Sequence, residues 1–570
     1  MKYHLIYIFY IFFFTLSSIG AGLIFSNYIN PQFKKLNFGY QGIIGIFFIT
    51  FISIITSFFL KHGYFHNIIL HFTCFFFLVR EIFKNNIRIK ELKNIFYLVF
   101  IFLIGIYVYK NHDDFPYYHL TYALNLSENS VTLGQGLFSH GFRTYSSIFY
   151  FHSTLYLPLI NFYSFHMGPF LVLIFFNYIL LKKIFIFSSS NEKNLNFYFC
   201  ILCLAFVNVI FYRLGEHGTD RSAQIMILLI FIHLIDILLE NKNKKDFNFD
   251  INLILLFITF AISLKSTYAI YSILIFFLLF QKNKMLAYYF KSLNFRFISI
   301  LAIAFSMNFF INFLNTGCLL YPEEKTCVGN FDWSIPKSEV KKMKTHYEWW
   351  AKAGGGPSYK SNLSKEEYIK KFNWLKPWFE RHFFTKITDT LFGLMSISLI
   401  LFLLIFFFRK KEKNSKNKNF KFLNKLYFLI FIIFLVWFLK HPSMRYGGYV
   451  LFALPIFLFV SNFLCKFNYT VKDKKKITFI FIILIFITYN LRNVVRLNKE
   501  INFYNYPIIQ SPYFFVENVE SEAIIEDKNF NIYAPKNGKM CWASKTPCSY
   551  NRNIKVKKLL NFYIVMRNDK

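Results

Sequence analysis

Two adjacent aspartates, Asp113 and Asp114, are the residues whose type and position point most directly to chemistry. They follow the apolar run 95–109 in a chain with only 30 Asp and Glu among 570 residues. A carboxylate at the mouth of a membrane span is costly to desolvate, so such residues tend to be kept for function. With the imidazoles of His112 and His119, the pair is a candidate to deprotonate an acceptor hydroxyl or to hold a divalent cation.

The acidic pair also has a purely structural interpretation. Asp shortly before Pro is a frequent signal for the start of a helix, and Pro116 follows Asp114 closely. The two carboxylates would then cap a helix that begins near Pro116. On the sequence, function and capping stay open, and so does the identity of any metal.

Arginines in three other segments form a candidate anion-binding set. The link 213–221 holds five ionisable groups within nine residues, for which a solvated, internally paired turn is the alternative. Arginine suits forked hydrogen bonding to phosphate, and Glu, His and Asp can orient it or bind a metal. The predicted phosphate-binding residues are Arg143, Arg213, Arg221 and Arg445, and the predicted supporting residues are Glu216, His217, Asp220 and His441.

The elements that must position these residues are apolar helices. Apolar residues make up 55% of the chain, and the mean hydropathy of +0.38 disfavours a soluble multidomain protein. Runs of membrane-spanning length recur from end to end. The sequence therefore predicts an all-α polytopic transmembrane bundle of about 14 spans, near residues 5–25, 41–60, 65–80, 95–109, 168–187, 197–212, 222–239, 250–264, 267–281, 296–314, 388–408, 423–440, 447–465 and 477–490.

The formal charge of +35 is distributed as loop clusters between these spans. Such clustering is typical of cytoplasmic loops under the positive-inside rule, and it disfavours nucleic acid as a partner. Placing the clusters inside puts the acidic pair and the four arginines on the exterior face. The orientation of the first three spans stays open, because parity places the N-terminus outside and a cleaved signal peptide is an alternative.

Six regions follow from this topology. They are N-terminal transmembrane helices (1–109), an exterior loop with the acidic pair (110–166), central transmembrane helices (167–314), an exterior Trp-rich loop (315–386), C-terminal transmembrane helices (387–490) and an exterior tail (491–570). Within the first loop, the stretch 146–160 is apolar but interrupted by His152 and Pro158. It is expected to form a re-entrant or interfacial helix.

Four of the eight cysteines form two close pairs in the predicted exterior regions. They are Cys318 with Cys327 and Cys541 with Cys548. Disulfides persist on the oxidising side of a membrane, so two short-loop disulfides are favoured over free thiols. Neither pair has the spacing or the His partner typical of a zinc site.

The segment Asp113-Asp114 with Tyr117, Tyr118 and His119 resembles the first-loop signature of the GT-C class of polytopic membrane glycosyltransferases. The other motifs are similar to those of uncharacterised bacterial multi-pass membrane proteins. The GT-C resemblance implies that the acids lie where an acceptor meets a polyprenyl-phosphate-linked sugar. It also implies that basic residues of other loops hold the lipid phosphate. In that class the loop usually follows the first span, whereas here three predicted spans precede the one it follows.

The leading hypothesis is thus a glycosyltransferase of a bacterial inner membrane, acting in surface polysaccharide or glycolipid assembly. A polysaccharide polymerase or ligase is the first alternative; it would need Arg213 or His217 but no acidic pair. A transporter or flippase for an anionic lipid-linked substrate is the second. It would use ionisable groups inside spans, for which Asp236 and Lys265 are candidates.

Overall fold

The structure is a computed structural model, and it describes residues 2–85, 89–190, 194–216, 218–239, 244–353, 362–408, 420, 422–527, 530–560 and 562–568. Within these residues the chain is mostly helical, and two β-hairpins lie at its C-terminal end. The all-α prediction is therefore wrong for the C-terminal region, where four short strands form.

Ten helices in the described part of the chain are long and apolar enough to cross a membrane. Each has at least 18 residues, which corresponds to about 27 Å or more of helix and matches a hydrocarbon layer of about 30 Å. All ten coincide with predicted spans. These are the helices of a membrane protein.

The remaining predicted spans are shorter in the structure. Three apolar helices of 10–17 residues occupy Leu195–Ile210, Ser266–Leu278 and Gly448–Leu464. The run predicted at 95–109 is α-helical only to Phe102, and a 3-10 turn follows at Leu103–Ile106. Short apolar runs do not distinguish a full span from a shorter buried helix, and this is why the count differs there.

The described residues up to position 316 form thirteen α-helices. They are α1 (Lys2–Tyr28), α2 (Phe38–Thr56), α3 (Tyr64–Asn85), α4 (Ile89–Phe102), α5 (Leu120–Glu128), α6 (Ile148–Thr154), α7 (Met167–Ser188), α8 (Leu195–Ile210), α9 (Gly218–Leu239), α10 (Lys244–Leu264), α11 (Ile273–Gln281), α12 (Asn283–Lys291) and α13 (Phe295–Thr316).

The described residues from position 337 onward form seven further α-helices and four β-strands. They are α14 (Lys337–Lys352), α15 (Lys365–Ile369), α16 (Leu375–Trp378), α17 (Thr388–Phe408), α18 (Phe422–Lys440), α19 (Gly448–Leu464), α20 (Val471–Tyr504), β1 (Ser521–Asp527), β2 (Phe530–Pro535), β3 (Ile554–Leu559) and β4 (Phe562–Arg567).

Helices α9 and α10 lie at the centre of the bundle. Most residues of both are buried, whereas only about a third or fewer of the residues of α17 and α18 are buried. Close packing elsewhere depends on small residues, as is usual between membrane helices. A Cβ added to Gly45 on α2 would lie only 1.7 Å from the Ser18 carbonyl oxygen of α1, so glycine is required at that crossing.

The segment 103–166 forms a compact cap on one end of the bundle, which is termed the loop end. Its helix α6 has seven residues, all buried, and is about 10 Å long. Asn67 and His71 of α3 hold its C-terminal end, because they bond the carbonyl oxygens of Ser153 and Thr154 at 2.8 and 3.0 Å. The predicted re-entrant or interfacial helix at 146–160 is thus a short helix enclosed by protein.

The C-terminal region packs back onto this cap. Helix α20 continues unbroken from Val471 to Tyr504, so the boundary predicted at residue 490 falls inside a helix. Two antiparallel hairpins, β1 with β2 and β3 with β4, follow. Val565 of β4 then pairs with Leu133 of the cap through a backbone hydrogen bond of 2.9 Å. The last strand therefore ties the chain end to the loop end.

Both predicted cysteine pairs are disulfides in the structure, Cys318 with Cys327 and Cys541 with Cys548. The other four cysteines are free and buried. The second disulfide closes a loop beside the cap, where the Trp542 backbone N–H lies 3.4 Å from the Pro116 carbonyl oxygen.

Candidate functional site

Arg445 joins two carboxylates that are far apart in the sequence. Its Nη2 atom lies 2.5 Å from Asp114 Oδ2, and its Nε atom lies 2.9 Å from Asp220 Oδ2. Asp220 also pairs with the ammonium group of Lys265 through its other oxygen. These four residues, termed the cavity network, alternate negative and positive charge.

Each member of the cavity network is positioned by the start or end of a helix. Asp220 lies in the first turn of α9, where the helix dipole favours a negative charge. Arg445 lies in a 3-10 turn at Met444–Tyr446, between α18 and α19. Gly447 follows it with a φ of +98°, a left-handed conformation that glycine adopts without a Cβ penalty. The chain can therefore turn sharply into α19 with Arg445 at its head.

The contacts of Asp114 test the capping interpretation. Asp114 precedes a π-helical turn at Phe115–His119, yet its side chain makes no capping hydrogen bond to that turn. Its carboxylate instead accepts from Arg445. The capping interpretation is therefore wrong for Asp114. Asp113 is exposed and does not line the cavity described below, so the structure does not bring the two predicted aspartates to the same place.

The charge of Arg445 sets the protonation state of Asp114. Burial alone would raise the pKa of the Asp114 carboxyl, but Arg445, with smaller contributions from His119 and His112, lowers the pKa below its usual value. Burial lowers the pKa of His119 to about 4 and also lowers that of His112. At neutral pH the site thus holds an ionised carboxylate beside two neutral imidazoles.

A cavity of about 610 Å³ opens beside the cavity network, a size within the roughly 300–1,000 Å³ typical of ligand sites. Asp114, Lys265 and Arg445 line it. Helix α14 covers it, and Trp350 of that helix lies 5.4 Å from the Arg445 guanidinium. The ring of Tyr446 lies 4.3 Å from Lys265 Nζ. Both cations of the network therefore lie against aromatic faces.

Neutral polar groups also line the same cavity. They are contributed by Thr144, Tyr145, Ser146, Ser266, Thr267, Asn308 and Asn312. The Tyr145 hydroxyl and the Asn308 Oδ1 are buried and have no hydrogen-bond partner among the described residues. Buried polar atoms normally have partners, so this wall offers hydrogen bonds that a polar ligand can accept or donate.

The structure separates the four predicted arginines. Arg445 lines the cavity, but the other three do not. Arg143 pairs with Glu339 at 2.7 Å in a neighbouring cavity. The Arg221 guanidinium lies 5.4 Å from the Phe211 ring centroid. The prediction that all four arginines form one phosphate site is therefore wrong.

The predicted supporting residues divide in a similar way. Asp220 belongs to the cavity network, and His441 lines the cavity. Burial lowers the pKa of His441 to about 4, so it is neutral at physiological pH. His217 and the side chain of Glu216 lie outside the described residues.

Sequence reasoning assigned Lys265 only to the transporter alternative and missed Trp350 and Tyr446. Lys265 directly follows the apolar run 250–264. A charged residue just after an apolar run is the feature that identified Asp114. The same rule, applied to basic residues, would have placed Lys265 in the site. For the two aromatic residues the sequence carries no such signal, because interface anchoring is a common role of Trp and Tyr.

A second cluster of charges lies within the helices. It is termed the helix cluster and contains Lys183 of α7, His233 and Asp236 of α9 and Asp250 of α10. Lys183 pairs with Asp236 at 2.5 Å, and His233 Nδ1 lies 2.7 Å from Asp250 Oδ1. One potential ligand atom from each of His233, Asp236 and Asp250 lies within 4.8 Å of the others. Since Lys183 already neutralises Asp236, a cation there would compete with an ammonium group.

Comparison with known proteins adds a family. The profile of a family described as a domain of unknown function, DUF8201, matches residues 1–452. The chain belongs to this family. All four residues of the cavity network lie inside the matched range, and the four strands lie outside it. No curated protein and no solved structure matches the chain.

Proposed function

We propose that this protein is an integral membrane glycosyltransferase-like enzyme that uses a polyprenyl-phosphate-linked sugar at the exterior face of a bacterial inner membrane. In this proposal the chain has about 14 spans, its loop end faces outward, and it acts in cell-surface polysaccharide or glycolipid assembly. The observation that carries the proposal is the convergence of Asp114, Arg445 and Lys265 on one cavity.

The donor phosphate would take the place of a carboxylate at Arg445. Arginine forms forked hydrogen bonds with phosphate as it does with carboxylate. Lys265 adds a second positive charge on the same wall, at the other side of Asp220. A sugar phosphate in the cavity would thus be held by two cations that already line it.

The carboxylate of Asp114 would act as the general base. It would take the proton of the acceptor hydroxyl as that oxygen forms a bond to the anomeric carbon of the sugar. The bond between that carbon and the phosphate oxygen breaks, and the lipid phosphate leaves with the electron pair. Arg445 lowers the pKa of Asp114 in the free protein, so a phosphate that draws Arg445 away would strengthen Asp114 as a base.

The neutral polar wall supports a sugar as the transferred group. Hydroxyls and amides on this wall, including Tyr145 and Asn308, match the uncharged hydroxyls of a sugar. Aromatic side chains such as Tyr118 and Trp350 also line the cavity and can stack on a sugar face. The charged part of the cavity would then hold the phosphate, and the neutral part the sugar.

The test compares two neighbouring aspartates. Asp114→Asn should reduce transfer by about 100-fold or more, because it removes a general base. Asp113→Asn should stay close to wild type, since Asp113 is exposed and lies off the cavity. Each variant replaces the chromosomal copy, and the surface glycan is quantified alongside the amount of folded protein in the membrane.

Wild-type glycan levels with folded Asp114→Asn would contradict the proposal. Arg213→Ala separates the polymerase or ligase alternative, which requires Arg213 and not Asp114. Under the glycosyltransferase proposal Arg213→Ala retains transfer, because Arg213 does not line the cavity.

A further inference from the structure

A second cavity, of about 450 Å³, lies next to the first. Its ionisable lining groups are Arg143, Arg552 and Arg567, with His140 and the single acid Glu339. Arg552 also pairs with Glu522, which lies outside the lining. With His140 neutral, three positive charges against the two carboxylates leave a formal excess of one positive charge. This cavity is therefore electrostatically suited to an anion.

Only a thin wall separates the two cavities. His140 lines both of them. Two hydrogen bonds cross the wall, one between the hydroxyls of Tyr117 and Tyr550 at 3.3 Å and one from Arg143 to the Tyr321 hydroxyl at 3.4 Å. A molecule bound in the second cavity thus lies one side chain away from the cavity that holds Asp114.

Two of the three arginines of the second cavity, Arg143 and Arg567, are held in place by Glu339. Arg143 is only 5% exposed. Its Nε donates to the Gly136 carbonyl oxygen at 2.8 Å, and its NH1 pairs with Glu339 at 2.7 Å. Arg567 pairs with the other carboxylate oxygen of Glu339. The two guanidinium groups thus share a single carboxylate, so a second anion can bind to them without an excess of negative charge.

Unused hydrogen-bonding groups point to a ligand in this cavity. Ser139 lines it and is 6% exposed, and its hydroxyl has no partner among the described residues. The buried Nε of Arg567 also has none within the described chain. An unpaired buried donor is costly, so a bound molecule that accepts from these groups would be favoured.

We propose that the second cavity binds an acidic group, carboxylate or phosphate, of the acceptor glycan, an inference that rests on the proposed function. A volume of about 450 Å³ is far larger than one small ion needs and suits a sugar unit. Asn551, Asn553 and Tyr550 add neutral polar groups for its hydroxyls. The acidic sugar would lie in the second cavity while the reacting hydroxyl of the same glycan reaches Asp114.

The C-terminal region supplies much of this site. Arg552, Arg567 and Tyr550 lie beyond the residues 1–452 that match the family, whereas Arg143 and Glu339 lie within them. Donor chemistry and acceptor choice would therefore be divided between two parts of the chain. The hairpins would act as specificity-determining elements.

The experiment measures binding to the full-length protein in detergent with three probes. They are a disaccharide that carries one uronate, its neutral counterpart and inorganic phosphate. The acidic disaccharide should bind at least about tenfold more tightly than the neutral one, and Arg567→Gln or Ser139→Ala should weaken it by about tenfold. The matched control is Arg492→Gln, which removes the same charge from an exposed arginine on α20.

Glu339→Gln gives a prediction of opposite sign. Glu339 competes with the ligand for Arg143 and Arg567, so its neutralisation should tighten binding of the acidic disaccharide by about tenfold. If the arginines served only to hold Glu339, this variant would not bind the acidic disaccharide more tightly.

Several outcomes would overturn the inference. They are equal affinity for the acidic and neutral disaccharides, equal losses in Arg567→Gln and Arg492→Gln, or weaker binding in Glu339→Gln. Binding of inorganic phosphate alone would reject a glycan as the source of the anion. Binding is measured separately from transfer, so the two proposals can fail independently. If the acidic disaccharide still binds selectively and Asp114→Asn retains transfer, the proposed function is refuted and the anion site is not.

Discussion

The cavity network and the helix cluster are two solutions to the same problem of burying carboxylates among apolar helices. In each, a lysine neutralises an aspartate of α9: Lys265 with Asp220, and Lys183 with Asp236. Three members of the cavity network line the first cavity, whereas no member of the helix cluster lines either of the two cavities described above. Charge pairing is common to both, and access to a cavity distinguishes them.

This difference shows that a buried charge does not by itself indicate a functional site. A buried ion pair is weak support for function, because pairing is also the way to avoid an uncompensated charge in a protein interior. In the helix cluster, His233 Nε2 lies 2.9 Å from the Tyr40 hydroxyl, and Asn196 donates to Asp236. Those contacts lock helices together. In the cavity network the side chains of Asp114 and Arg445 are each 25% exposed, so a ligand can compete for them.

The largest expected effect concerns stability in the helix cluster. Lys183→Met leaves Asp236 without its cation and should lower the free energy of unfolding by about 3–5 kcal/mol. The double variant Lys183→Met/Asp236→Leu should recover most of this loss, because no charge is then left unpaired. Thermal unfolding in detergent checks both. Additive losses in the double variant would show that the pair is not a coupled unit.

The next effect concerns activity in the cavity network. Arg445→Gln should reduce transfer by about 100-fold, because it removes a positioned charge that would face the donor phosphate. Arg492→Gln should leave transfer unchanged. Initial rates at several donor concentrations provide the measurement, with thermal stability as the check on folding. If Arg445→Gln lowers stability and retains the transfer rate per folded molecule, the two clusters are alike and both are structural.

The smallest effect concerns pH. Burial lowers the pKa of His119 to about 4, whereas an unfolded histidine titrates near 6.5. The unfolded state therefore binds more protons between these values, and stability falls as pH drops below about 6.5. From pH 7 to 5.5 this group should cost about 1 kcal/mol. His119→Asn should flatten that part of the profile, and an unchanged slope would assign the pH dependence to other groups.

Much of the fold could be predicted because a long apolar run has few structural alternatives to a membrane-spanning helix. The ten long spans in the described residues all coincide with predicted ones. Short runs were harder, since the stretches near 95–109 and 267–281 are interrupted by 3-10 turns. The strands of the tail were missed because each has only six or seven residues.

The site could be predicted only in part, because sequence position fixes which end of a span a residue occupies but not the direction of its side chain. Asp114, Asp220 and Arg445 were identified for this reason, and they meet. Asp113 has an equally suitable position in the sequence, yet it is exposed. Arg143 was placed at the correct end of the bundle but contributes to the second cavity.

The distance along the chain between Asp114 and Arg445 has a consequence for biosynthesis. The two residues are separated by 331 positions, so a ribosome completes most of the chain before the carboxylate meets its guanidinium. Until then the early helices carry Asp114 without this counter-charge. A chain that ends before Arg445 therefore lacks the residue that joins Asp114 to Asp220, so the complete cavity network cannot form.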